Sequence, residues 1–158
     1  MKNLAVIARK IIKKNIYLTL ATTAKGRPWA SPLFYAYDKN YNFYFVSEKT
    51  SQHTRNLKVN PRVAVAIFSS QEKPEAVNGL QIKAKATELG LRELPHALLI
   101  YLRRPETKLM AERFKNYRNP LEYLGRFPFR CYKIMPEKFY ILDPKITKKD
   151  KRVEVRLN

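Results

Sequence analysis

One cysteine, four glycines and two histidines among 158 residues close off several classes of function before any pattern is read. Cys131 has no partner for an intrachain disulfide, and a cysteine-rich zinc module is excluded. A lone thiol suits a reducing compartment, so a cytoplasmic location is expected. His53 and His96 have no second histidine or cysteine at ligand spacing, so no metal site is expected. Gly26, Gly79, Gly90 and Gly125 form neither a GxGxxG fingerprint nor a P-loop, which removes Rossmann and Walker-type nucleotide binding. No apolar run approaches the roughly 18 residues of a membrane span. The N-terminus lacks the compact apolar stretch and small-residue cleavage site of a signal peptide. Acidic residues are scarce as well, 13 Asp+Glu against 32 Lys+Arg, which argues against the paired carboxylates of a glycosidase. No nucleophile-elbow sequence supports a Ser–His–Asp site. An enzyme this poor in catalytic side chains must borrow its chemistry from a cofactor.

What is present begins with charge. The formal net charge of +19 attracts anions, whether nucleic acid, acidic lipid or phosphorylated small molecules. Lysine-rich surfaces also occur for stability alone. The basic residues are spread along the chain, which favours a solvated basic surface with a preference for phosphate-bearing ligands over a dedicated nucleic-acid arm. With 45% apolar residues the chain can bury a core without disulfides or metal.

Leu4, Ile7, Ala8, Ile11 and Ile12 recur at helical spacing, with Arg9, Lys10, Lys13 and Lys14 mostly opposite, predicting an amphipathic first helix that caps a core. Ile16–Ala21, Trp29–Tyr37 and Asn42–Ser47 read as strands separated by turns at Lys25-Gly26 and Asp38-Lys39-Asn40, together an antiparallel meander. A short helix over Ser51–Val59, capped by Ser51 or Thr50, ends at Asn60-Pro61. Arg62–Phe68 reads as a central strand, and Gly79–Leu89 alternates as a strand buried on one face. Glu93–Arg103 and Glu106–Tyr117 are helical in pattern. Phe129–Met135 and Lys138–Leu142 read as two strands divided by Pro136. Lys145–Arg152 is a charge run read as a solvated tail. The expectation is a mainly β single domain over residues 1–144, a six- or seven-stranded antiparallel barrel with short helices, followed by a basic tail over 145–158. Tyr35, Tyr37, Tyr41, Phe43, Tyr44 and Phe45, flanked by lysines, read either as barrel core or as a base-stacking platform. Trp29 reads as core or as a ring-stacking side chain, and Cys131 as a buried small hydrophobe.

The segments TLATTAKGRPWASPLFYAYD (Thr19–Asp38), NFYFVSEKTSQHTRNLKVNPRVAVAIF (Asn42–Phe68) and GLQIKAKATEL (Gly79–Leu89) resemble the pyridoxamine-phosphate-oxidase-like, FMN-binding split barrels. Asn60-Pro61-Arg62-Val63 after a short helix is the most specific piece, and RCYKIMPEKFYILD (Arg130–Asp143) resembles the closing strands of small members. The resemblance implies a split β-barrel working as a homodimer with flavin held between subunits. It implies that the backbone at Ala30, Ser31, Pro32 and Leu33 lies along the isoalloxazine ring. Val46, Ser47, Ser51, Gln52 and His53 would hold the ribityl chain and phosphate, and Gln81 would approach from across the site. FMN is the implied cofactor, with deazaflavin as a variant. The chain departs from the oxidases where Gln52-His53 replaces the usual Arg-Lys, so pyridoxamine-phosphate oxidation itself is not expected. Two functions follow. One is a flavin-dependent oxidoreductase acting on an unassigned small molecule. The other is a non-enzymatic module holding an anionic ligand such as nucleic acid, haem or stored flavin.

Overall fold

A computed structural model describes residues 4–71, 78–108, 112, 129–142 and 152–157. Helix α1 (Leu4–Lys14) leads into β1 (Tyr17–Ala24), β2 (Arg27–Phe34), β3 (Ala36–Tyr37) and β4 (Phe43–Glu48). Helix α2 (Gln52–Val59), β5 (Arg62–Ile67), β6 (Leu80–Glu88) and α3 (Leu94–Leu102) follow, and β7 (Phe129–Leu142) and β8 (Arg152–Val155) complete the described elements. The hairpin between β1 and β2 turns on Lys25 and Gly26, both at positive φ, the two-residue geometry whose twist matches the strands it joins. Asp38 fixes the next turn by accepting from the Asn40 and Asn42 amides, the Asn42 side chain and the Tyr44 hydroxyl.

Every described strand pair is antiparallel, in the order β2-β1-β5-β6-β7-β4-β3, with β8 added on β7. Strands β2 and β3 stand at opposite ends of that order, yet only Tyr35 separates them in the chain. The sheet must therefore curl until its ends meet, which makes it an antiparallel split β-barrel. The expected meander holds within the hairpins β1–β2 and β3–β4, but β2 does not pair with β3. Strand β5 is central, between β1 and β6, as its apolar pattern predicts. Its alanines nonetheless face outward, with Ala64 exposed.

The barrel is filled by Leu18, Leu20, Tyr35, Phe43, Phe45, Val65, Ile82, Tyr132 and their neighbours. Helix α1 inserts Ala8 and Ile12 near the start of β1, and the Tyr35 hydroxyl donates to the Ile12 carbonyl at 2.7 Å. Helix α2 sits against the other end of β1 through Leu57 and a set of polar contacts. A second cluster, Tyr44, Leu89, Leu94, Ala97 and Cys131, fills the space beneath α3. Tyr35, Phe43, Tyr44 and Phe45 are buried and Tyr37 and Tyr41 are packed against the core, so the aromatic run is no base-stacking platform. Trp29, by contrast, is 50% exposed and not a core residue.

Two expectations at the C-terminal side change. Pro136 does not divide two strands: β7 runs through it without a break, because a register shift lets Pro136 face Ala84 while Glu137 is skipped. A bulge is one of the few places where a sheet tolerates a residue without an N–H. The stretch read as a basic tail is not all tail. Arg152–Val155 pairs with β7, and Leu157 is 6% exposed in the main core. Val153, Val155 and Leu157 alternate with charged residues, a period that the preceding charge run overshadowed. The helix expected over Glu106–Tyr117 falls mostly outside the described residues, which there show a 3-10 turn at Pro105–Thr107. No described helix is long and apolar enough to cross a membrane.

Leu157 also offers its carbonyl to the Arg9 side chain at 3.0 Å, joining α1 to the end of the chain. Leu157→Ala is expected to lower stability by about 2 kcal/mol through the cavity it leaves. A lower urea midpoint at unchanged slope would show it, and an unchanged midpoint would refute the docking of this segment.

Candidate functional site

The corner between β4 and α2 is built from short side chains. Ser51 occupies the N-cap position with extended backbone, yet its hydroxyl makes no capping bond to the helix. It donates instead to the Glu48 carbonyl at 3.0 Å and meets His53 Nε2 at 3.1 Å and Thr54 Oγ1 at 3.0 Å. The expected side-chain cap is thus absent, and the first-turn amides keep the electropositive character of a helix start. Lys49 and Thr50 form the exposed approach, and Arg55 folds back onto the Thr50 carbonyl at 2.6 Å and the Gln52 side chain at 3.0 Å.

His53 points inward and is 8% exposed. Its Nδ1 lies 3.1 Å from Ser31 Oγ on β2, and its Nε2 lies 2.8 Å from Ser47 Oγ at the end of β4. Burial depresses its pKa, so the ring is a neutral imidazole at physiological pH. No carboxylate orients it among the described residues, so the Ser–His contacts lack the acidic member of a triad. The rest of α2 is bound to the β1–β2 hairpin by polar groups. Asn56 donates to Thr22 Oγ1 at 3.0 Å and receives the Gln52 amide at 2.8 Å, and Asn60 reaches the Thr23 carbonyl. Thr22, Ser31, His53, Thr54 and Asn56 all belong to this seam, and they are five of the six buried polar side chains among the described residues.

The ten residues singled out from sequence divide by strand alternation. Ser31, Ser47, Ser51 and His53 meet in one network, with Gln52 exposed beside it. Ala30, Pro32 and Gln81 face outward, where cross-strand register aligns Pro32 with Thr19, Thr19 with Ala66, and Ala66 with Gln81. Leu33 packs on the barrel core, and Val46 turns away to the cluster beneath α3. The structure therefore gathers four of the ten around a helix start and sets three on a separate, flat face.

Sequence reasoning missed most of that face. A depression of about 300 Å³ there is lined by Thr19, Ala21, Ala64, Gln81, Lys83 and Tyr140, with the Lys83 ammonium 5.7 Å from the Tyr140 ring centre. A neighbouring groove of about 370 Å³ shares Thr19 and Ala66 with it and adds Pro32, Tyr17 and Phe68. Tyr17 and Phe68 are 58% and 52% exposed. The available signal was the row of small residues at alternate positions of β1 and β5, which leaves room for a flat body on the sheet.

Two expectations follow from these titrating groups. The folded His53 pKa lies below its unfolded value, so between the two the unfolded chain binds a proton that the folded chain does not. Stability is then full above about pH 6.5 and declines on acidification through the window beneath it. His53→Gln should remove this component, read as the difference between the two proteins in urea midpoints from pH 8 to 5; parallel profiles would contradict it. Burial also pushes the Cys131 thiol up to about 12, so it should resist disulfide reagents at pH 8 until the protein unfolds. Rapid labelling of the native protein would contradict the packing beneath α3.

Three comparisons place this geometry among known proteins. A UPF0306 protein of Pasteurella multocida is 29% identical over 91 residues, 57% of this chain and 61% of that protein. The chain thus spans about three fifths of the length of the curated relatives it matches. A haem-binding protein from Mycobacterium smegmatis superposes with a TM-score of 0.72 at 22% identity, covering 98% of this chain and 58% of the other. A FAD-binding protein from Mesorhizobium loti gives 0.61 at 18% identity, covering 87% and 92%. Likenesses at these identities carry the fold. The family model for pyridoxamine 5'-phosphate oxidase matches residues 7–140, and the chain belongs to that family.

Proposed function

We propose that this chain is a cytoplasmic, homodimeric flavoprotein that binds FMN and acts as a reductase or oxidase on a small molecule. The observation that carries the reading is the helix start without a side-chain cap. Ser51 spends its hydroxyl on Glu48 and His53, leaving the first-turn amides of α2 for an anion, with Ser47, Lys49 and Arg55 around them. These groups match a phosphate in charge and donor type. The alanines, Thr19 and Pro32 on the outer face match a flat ring, because none projects a bulky side chain. FMN or deazaflavin would supply hydride transfer when bound. The protein's share is to seat the phosphate, lay a smooth wall along the ring and exclude water. A second copy completes that wall, since one subunit leaves Tyr17 and Phe68 open to solvent beside the shallow grooves.

The second reading is a carrier without catalysis. The +19 charge favours any anionic ligand, and haem is the specific candidate. Both His53 nitrogens are taken, so His96, exposed on α3, is the histidine that would hold the iron of a bound haem.

The purified protein should bind added FMN and elute as a yellow dimer. Ser51→Asp places a carboxylate at the anion seat and should weaken FMN about tenfold or more while leaving riboflavin, which has no phosphate, little changed. A dimer that refuses both FMN and deazaflavin sinks the flavin reading. A Soret band that appears with haem and vanishes in His96→Ala would establish the carrier instead.

A further inference from the structure

His53 stands where the family resemblance calls for a basic phosphate ligand, but its geometry suits another task. Both ring nitrogens are occupied by side-chain hydroxyls, Nδ1 by Ser31 and Nε2 by Ser47 and Ser51, which leaves no ring edge for a phosphate oxygen. The three serines come from three segments. Ser31 lies on β2, Ser47 near the end of β4, and Ser51 at the start of α2. Strands β2 and β4 share no ladder, since β4 pairs with β3 and β7 while β2 pairs with β1. They face each other across the split of the barrel, and His53 spans it.

We propose that His53 is a positioning residue, a neutral imidazole that ties β2 to the β4–α2 corner and so fixes the anion seat relative to the strand beneath the ligand's ring. The identity of the ligand rests on the flavin reading; the tie itself does not. A neutral imidazole suits this role because it offers one donor and one acceptor, and hydroxyls can serve either. The alternative, an imidazolium, would be buried without a counter-charge. Around the ring stand Ser31 from β2, Phe45 and Ser47 from β4, and Ser51 at the cap of α2, whose hydroxyl also meets Thr54. Of the charged groups at this corner, Glu48 is exposed at the end of β4 and Arg55 is bonded to Thr50 and Gln52, while Glu88 on β6 lies 3.7 Å from Arg130. The proton that would turn His53 into a phosphate ligand is therefore the one its surroundings disfavour.

The test uses the full chain, first without flavin. Nitrogen-15 NMR should show His53 as a neutral imidazole at pH 7, still neutral after saturation with inorganic phosphate. Amide exchange in His53→Ala should rise about tenfold on both sides of the split together, in β2 and in the first turn of α2, while the β5–β6 ladder stays protected. His53→Gln, whose amide reaches toward the Nε2 position, should recover part of that protection. In the second arm His53→Ala should weaken FMN about tenfold and His53→Gln should recover part of it. Unchanged exchange in His53→Ala, or an imidazolium formed on phosphate or FMN binding, would overturn the proposal. Should His53→Ala fail to fold, the wild type decides: the two segments must lose protection together as His53 titrates, and independent loss refutes the tie. Coupled exchange in a protein that refuses FMN leaves the tie standing and removes the flavin reading alone.

Discussion

Strands β2 and β3 are neighbours in the chain and strangers in the sheet, and that single covalent constraint shapes the molecule. Tyr35 joins them, fully buried, with its hydroxyl on the Ile12 carbonyl and the Arg104 guanidinium 5.9 Å from its ring. Because the chain cannot stretch between distant sheet ends, the sheet must roll. Rolling creates the interior that Leu18, Leu20, Phe45 and Ile82 fill, and it leaves a split where β2 and β4 face each other without a ladder. Tyr35 closes that split near α1, and the His53 network closes it near α2.

The two closures differ in kind. Around Tyr35 the contacts are largely aromatic and apolar, with Phe43 5.4 Å away edge to face, and their strength comes from removing surface from water. Around His53 the contacts are hydroxyl to imidazole and amide to hydroxyl. Such bonds add modest net stability, because each replaces bonds to water, but leaving one partner unmatched is costly. A seam of this kind selects one docking of α2 more than it strengthens the fold. That suits the edge of a ligand site, where position matters more than adhesion.

On the proposed reading the charge matters most at the same corner. A surface of +19 raises the local concentration of anions everywhere, but capture requires donors that converge. On the proposed reading the start of α2 would provide them, because Ser51 is bonded sideways to Glu48 and His53 in place of capping its own helix. The neighbouring face of β1, β2 and β5 carries small residues in register, so on the proposed reading the barrel sets an anion seat near a flat wall.

Much was legible in the chain alone. The helical spacing of Leu4 to Ile12, the two-residue turn at Lys25-Gly26, the break at Asn60-Pro61 and the alternation in β6 were fixed by local rules of period and backbone freedom. These rules act within a few residues, so short segments reveal them. The tertiary structure decided what those rules cannot reach. It set which strands pair, carried β7 through Pro136 at a bulge, and drew Leu157 into the core from beyond a charge run. It also turned the Val46 and Leu33 side chains toward the two core clusters while bringing Ser31, 22 residues away in sequence, onto His53. Strand alternation decides which face a side chain takes, but closure of the barrel decides what it meets there, and closure is a property of the whole sheet.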